Sequence, residues 1–412
     1  MDRALGCGLR GRAFESHRGR LKGAVLPLLF LLLMSNIQDI DLIIIGTGPA
    51  GLSTALHLIQ GDPTWEGRMI LLEKASHPRS KLCGGGVTWL GLETLTKLDF
   101  PFPLPIDQAC VENIYLKYRK RTIHVRGKPL FVVFDRPVFD QYLAEQTKKR
   151  GIKIKENEAV ISVSVHEDHV LIQSKKRDYR AKMIVCADGA TGTISRRVLK
   201  NPTHNRSSRT LELWAPTTLK SPRFFQHSAL FDFNFLSDNL QGYYWEFPSK
   251  KNGKAFHNRG VYDSRLARKR ECSKLPDILN KAADSIKGED KNSPIQSAPI
   301  RWFSPKNKIS THRTILVGDA AGVDVLFGEG ISPSLLYGKF AAREILRAFE
   351  NDDFSFQTYR KRLLASKLGR YLLIRWLVAN YLYRFGNHPF FTHLLWTAGK
   401  ILATIWRGRR LY

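Results

Sequence analysis

From Ile40 onward the apolar and polar positions alternate between helical and strand periods. Asp41 to Ile45 reads as a short buried strand, Gly46 to Gly51 as a glycine turn, Leu52 to Gln60 as a helical stretch and Met69 to Glu73 as a second strand, which together make a βαβ opening. Apolar strands recur at Met183 to Ala187 and Thr314 to Val317, each running into a glycine-containing turn. These pieces are expected to be neighbours in one sheet. Between them, Asn113 to Val125 and roughly Thr210 to Asp263 show the alternation of antiparallel strands, as in a second domain inserted into the first. The expected class is α/β with an α+β second domain. A discontinuous Rossmann-like domain takes residues 38–105, 131–200 and 301–352, an antiparallel-sheet substrate domain takes 106–130 and 201–300, and a helical segment takes 353–412.

Composition narrows the field of partners. The chain has 412 residues, 43% of them apolar, which suffices for one large or two modest cores. Its formal charge of +28 favours an anionic partner: nucleic acid, a membrane surface or a phosphorylated substrate. Many basic residues sit at the two termini rather than along a stripe with interleaved polar readers, so no nucleic-acid partner is expected. Five cysteines, Cys7, Cys83, Cys110, Cys186 and Cys272, form no C-x-x-C pair, and the histidines show no ligand spacing. Neither a disulfide framework nor a metal site is expected, and a reducing cytosol fits best. Residues 1–37 form a basic and apolar extension whose 11-residue apolar run, Ala24 to Met34, is shorter than the roughly 20 residues of a spanning helix. The order of basic then apolar residues fits a secretory signal, a short membrane anchor, or a start placed upstream of a true initiator at Met34, and the last is preferred.

Gly46-Thr47-Gly48-Pro49-Ala50-Gly51 fits G-x-G-x-x-G with its full context: a strand before, a helix after and Glu73 ending the next strand. Such glycines permit a tight turn and backbone approach to a pyrophosphate at the helix N-terminus, while Glu73 would accept from an adenosine ribose. Two more segments specify the dinucleotide. Cys186-Ala187-Asp188-Gly189-Ala190, followed by Ser195-Arg196, resembles the D-G motif of the two-domain flavoproteins typified by aromatic hydroxylases, and Val317-Gly318-Asp319-Ala320-Ala321-Gly322 resembles their G-D motif. The resemblance implies FAD, with Asp319 on the ribityl chain and Gly328-Glu329-Gly330-Ile331 opening a helix toward the flavin's electron-rich end, where a helix dipole stabilises the reduced ring. Arg136, in Asp135-Arg136-Pro137-Val138-Phe139-Asp140, matches an arginine these proteins place beside the cofactor; a solvent-exposed helix-start arginine is the plainer alternative.

Within that class the chain, from about Asp41 to Phe340, resembles the geranylgeranyl reductase family. Lys81-Leu82-Cys83-Gly84-Gly85-Gly86 is similar to the family's K-x-C-G-G segment beside the flavin, and Tyr243-Tyr244-Trp245-Glu246-Phe247-Pro248 fits its Y-x-W-x-F-P signature. Strand alternation sends Tyr243, Trp245 and Phe247 to one face, an aromatic wall suited to a long polyprenyl chain. The resemblance implies cofactor contacts at Gly46, Gly48, Pro49, Ala50, Gly51, Glu73, Lys74, Lys81, Cys83, Gly84, Arg136, Asp188, Gly318, Asp319, Gly328, Gly330 and Ile331, and catalytic positions at Cys83, Tyr243, Trp245 and Phe247. Cys83 has three readings: a lining over the reactive face, a proton carrier, or a small apolar filler. The chain departs from the pattern at Leu240, Tyr262 and Val325, where Pro, Gly and Pro are usual.

The implied reaction is saturation of a polyprenyl C=C bond on a lipid, prenyl diphosphate, quinone tail or chlorophyll side chain, with NAD(P)H or ferredoxin as electron donor. The alternative on the same fold is a flavin monooxygenase or halogenase. After Asp353 there is no acid, and from Arg360 to Tyr412 there are 11 Lys or Arg among many aromatics. This segment is expected to dock on the cytoplasmic face of a membrane, with Arg360, Lys367, Arg370 and Arg375 on one arc and Leu368, Leu372, Trp376 and Tyr383 on another. The oligomeric state is not legible.

Overall fold

A computed structural model describes residues 37–200, 207–267, 274–284, 293–386 and 388–406. The expectations for residues 1–33 lie outside them. Two sheets organise the chain. The first runs in the order Ser310–Thr311, Thr314–Leu316, Asp178–Cys186, Ile37–Ile45, Met69–Leu72, Lys153–Lys155, with the hairpin Val160–Val165 and Val170–Ser174 attached through Asp178–Cys186. Ile37–Ile45 pairs in parallel with Met69–Leu72 and with Asp178–Cys186, which pairs in parallel with Thr314–Leu316. Leu42, Ile43 and Ile44 are wholly buried, as the unbroken apolar run of a strand covered on both faces requires. The expected neighbours are therefore neighbours, and their register matters: Ile45 lies opposite Cys186, and Cys186 opposite Leu316. Three strand ends are level, so the three glycine turns that follow them leave the sheet at one edge.

The second sheet runs Gln296–Arg301, Ser207–Pro216, Lys254–Asp263, Gly242–Lys251, Ser228–Asp232, Gln108–Tyr118, Arg121–Phe134, Gly86–Thr88. All its pairings are antiparallel except that of Ser228–Asp232 with Gln108–Tyr118. The segment Asn113 to Val125, expected as β-rich alternation, holds the turn of a long hairpin. Arg119 makes that turn with φ of 51°, where no glycine or proline gave a signal.

Helices Pro49–Gly61 and Ile331–Glu350 pack on each other, and Gly338 leaves the room for it, since a Cβ there would lie 2.5 Å from the Ser53 side chain. The C-terminal residues form helices Tyr359–Ala365, Lys367–Phe385 and Pro389–Trp406. Leu368, Leu372 and Tyr383 are buried, so this apolar arc packs on the protein, while Arg360, Lys367 and Arg370 are exposed. Arg375 departs from its expected solvent arc and turns into the protein, because two acidic groups wait there. The helix Lys367–Phe385 thereby joins both cores: Leu368 and Leu372 belong to the core of the first sheet, Ala379, Leu382 and Tyr383 to that of the second.

Candidate active site

The three turns at the edge of the first sheet are pressed together. Gly46 has φ of +105°, and a Cβ on it would fall 2.5 Å from the Ala187 carbonyl oxygen; one on Gly318, at φ +58°, would fall 2.7 Å from Ala50 Cβ. Only glycine meets both demands, left-handed backbone and close approach, at each place. Gly48 caps the helix Pro49–Gly61 with no side-chain bond, so the dipole end and its first N–H groups face outward. Asp188 accepts from the N–H groups of Ile194 and Ser195, each at 3.0 Å, through Oδ2, while its buried Oδ1 has no partner among the described residues.

These turns border a cavity of about 830 Å³ that reaches the second sheet. It brings together Gly46, Gly48, Pro49, Ala50, Glu73, Lys74, Lys81, Cys83, Gly84, Arg136, Asp188, Asp319, Gly328, Gly330 and Ile331 with Tyr243, Trp245 and Phe247. Gly51 and Gly318 lie behind this lining, where they set the packing of the turns.

Glu73 Oε2 accepts from the Thr47 N–H at 3.0 Å and its hydroxyl at 2.8 Å. Burial opposes its charge, but Arg79 and the Thr47 donors hold the carboxyl below its ordinary value. Arg79 also reaches Asp140, at 3.2 Å. Asp140 in turn takes a bidentate pair from Arg136, at 2.9 and 3.0 Å, across one helical turn. Arg136 is buried rather than solvent-exposed. Desolvation works against its charge, yet Asp140 and the Cys83 side chain outweigh it and raise the guanidinium above its ordinary value. Sequence reasoning missed Thr47, Arg79 and Asp140. Asp140 was within reach, since Arg136 and Asp140 are i and i+4 on a helix; for Arg79 no local signal exists.

On the second sheet, Tyr243, Trp245 and Phe247 do share one face. Phe231 joins them, 5.1 Å from Phe247 and 5.2 Å from Tyr243 between ring centroids. Trp245 donates to Asn258 Oδ1 at 2.7 Å, and Asn258 donates to Glu212 at 2.9 Å. A Cβ on Gly84 would lie 3.4 Å from Phe247 and 3.6 Å from Trp245 Nε1, so the Cys83 segment rests directly on the aromatic wall. Two departures from the family pattern meet here: the Tyr262 hydroxyl donates to the Val325 carbonyl at 2.8 Å. The larger residue at one position is tied to the backbone of the other.

The helix Lys367–Phe385 also borders the cavity, an arrangement with no sequence signal. Arg375 binds Asp324 at 2.7 Å and lies 3.9 Å from Glu329, while Tyr371 donates to Glu329, whose other oxygen accepts from Thr88 at 2.6 Å. Burial pushes the Asp324 carboxyl upward despite Arg375. Glu329, Tyr371 and Arg375 all line the cavity. Among the described residues no group of His, Cys, Asp and Glu has the arrangement of a metal site.

No protein-family model matches the chain. It is 25% identical over 364 residues to digeranylgeranylglycerophospholipid reductase 3 of Methanosphaera stadtmanae, covering 84% of this chain and 88% of that one. The digeranylgeranylglycerophospholipid reductase of Thermoplasma acidophilum is likewise 25% identical, over 83% of this chain and 87% of its own. Conditioned medium factor receptor 1 of Dictyostelium discoideum matches at 25% over 84% of this chain and 71% of its own. Among solved structures, a geranylgeranyl bacteriochlorophyll reductase-like protein from Thermoplasma acidophilum superposes with a TM-score of 0.72 at 20% identity, covering 91% of this chain and 93% of that one. The halogenase PltM in complex with FAD superposes at 0.64 with 16% identity, over 83% and 75%. Both share the fold. Taken with the reductase relatives in sequence, they make the chain similar to geranylgeranyl reductases and give it the fold of FAD-binding oxidoreductases.

Proposed function

We propose that this chain saturates C=C bonds of a polyprenyl group held in the aromatic arm of its cavity, with FAD in the arm bordered by the three turns. The observation that carries the reading is the continuity of one cavity from those turns to the wall of Tyr243, Trp245, Phe247 and Phe231. The residues present suit FAD. The uncapped helix end at Gly48 fits a pyrophosphate, the unpartnered Oδ1 of Asp188 is a buried acceptor awaiting a donor, and Asp319, on the cavity lining, would accept from a ribityl chain. Bound FAD, reduced by NAD(P)H or a ferredoxin-class donor, supplies a hydride.

The chain's own residues do the rest. Tyr243, Trp245, Phe247 and Phe231 exclude water and present electron-rich ring faces to positive charge developing on an alkene carbon. Arg136, fixed by Asp140, places a permanent positive charge beside Cys83 on the cavity lining, where it would stabilise negative charge on a bound reduced cofactor. The test is mass spectrometry of products from anaerobically reduced holoprotein and a polyprenyl lipid: a gain of two hydrogens per bond is expected. A product carrying oxygen or halide would replace this reading with the monooxygenase or halogenase one.

The substrate class also implies how the protein meets it. The outer stripe of helix Lys367–Phe385 mixes Lys367 and Arg370 with exposed Ile374 and Leu377, and Phe385, Phe390 and Leu394 continue the exposed apolar surface. No helix among the described residues is long and apolar enough to cross a membrane. The stripe suits a helix lying at a membrane surface, with cations at the headgroups and side chains such as Ile374 below them.

A further inference from the structure

The second sheet carries an acid that neither the motif nor the aromatic wall accounts for. Glu212 lies on the strand Ser207–Pro216, opposite Gly260, which lies opposite Trp245 on the next strand. One cross-strand row therefore reads Glu212, Gly260, Trp245. Gly260 has no side chain to part the other two: a Cβ there would fall 2.3 Å from the Trp245 ring, which covers it. Glu212 is only 2% exposed, yet lines the cavity beside Thr210 and Trp245. Its Oε1 accepts from Trp214 Nε1 at 2.8 Å and from Asn258 Nδ2 at 2.9 Å, and among the described residues Oε2 accepts no bond. Asn258 is held at its other end by Trp245. The carboxyl is thus fixed by one oxygen, on a residue that borders the cavity.

We infer that Glu212 is the proton donor of the reaction, with Oε2–H aimed at the alkene carbon that does not receive the hydride. The inference rests on the reductase reading. In the step, the alkene's π pair forms a C–H bond to the proton of Glu212, the O–H pair stays on the carboxylate, and the other carbon gains a hydrogen with two electrons from the reduced cofactor, which is left oxidised. Water re-protonates Glu212 after product leaves. Charged groups near the acid are few. Arg136 favours its ionised form and Asp135 opposes it, while the facing residues Asn258 and Gln296 are neutral. Burial dominates and pushes the carboxyl up to about 7, so the acid form exists at neutral pH. Both bonds to Oε1 survive replacement by Gln, whose oxygen also accepts.

The experiment compares full-length holoprotein with Glu212→Gln and Glu212→Asp. In single-turnover reduction of a polyprenyl substrate, the wild-type rate should fall about tenfold per pH unit above neutrality, Gln should lose on the order of 10²- to 10⁴-fold and its pH dependence, and Asp should recover part. Independently of turnover, infrared difference spectra of the protein should show a carboxylic C=O band that titrates near neutral pH and is missing from the Gln variant. Equal rates and pH profiles for wild type and Gln, or no such band, would overturn the role of Glu212 and leave the reductase reading standing. A wild type that saturates no prenyl bond while the band titrates as expected would instead overturn the reductase reading, and the proton-donor role with it.

Discussion

Half-buried Asp319 and buried Glu212 are acids with opposite expected uses, and each has a measurable consequence. Asp319→Ala removes an acceptor facing the first arm of the cavity, so FAD binding should weaken by about 1–3 kcal/mol, read as flavin lost on dilution and gel filtration. Glu212 should make stability depend on pH. In the unfolded chain it releases its proton near 4.5, whereas burial in the folded protein delays release to about 7. Folding therefore takes up a proton between those values, and its contribution falls as pH rises through that window and is gone above it. Relative to Glu212→Gln, wild type should lose roughly 3 kcal/mol between pH 4 and pH 8 in paired denaturation curves. Parallel curves for the two proteins would mean that the carboxyl ionises in the folded state as it does in water.

At the scale of elements, the informative position is Gly260, where three strands share one row. Gly260→Ala would force a methyl to within 2.3 Å of both the Trp245 ring and the Leu211 carbonyl oxygen. Overpacking of this kind costs about 1–3 kcal/mol. Polyprenyl turnover should drop more than flavin content, because the turns that border the cofactor arm lie on the other sheet. The same row shows what was legible beforehand. Periodicity revealed Tyr243, Trp245 and Phe247 as one face, and glycine spacing revealed the three turns, because both signals are local. Glu212 was silent, since its meaning comes from strand pairing across 46 residues to Asn258, and Arg79 was silent because its partners Glu73 and Asp140 come from different elements. The C-terminal helix was read by its outer face, which is where charge is solvated, so the inward turn of Arg375 escaped the pattern. Arg375→Ala would leave Asp324 buried without its cation, a change expected to destabilise by about 3–5 kcal/mol in thermal or denaturant unfolding.

For the whole molecule, membrane docking is best tested without removing the helix Lys367–Phe385 that borders the cavity. Replacing Ile374, Leu377, Phe390 and Leu394 by Ser keeps every inward contact of Tyr371 and Arg375, and should weaken sedimentation with anionic vesicles while leaving flavin content unchanged. Undiminished binding by this variant would leave the stripe as ordinary solvated surface. The placement of Arg375 also has a meaning in time. During synthesis the strands and turns of both sheets are made before residue 367, so they can assemble while the carboxylates of Asp324 and Glu329 still lack the cation that will pair with them. Until that helix docks, the acids need water, and the cavity lacks the lining that Tyr371 and Arg375 supply. The last helices to be made are thus the ones that take these acids out of water, and a chain stalled at residue 366 should hold its two sheets loosely, bind the flavin weakly and turn over no lipid.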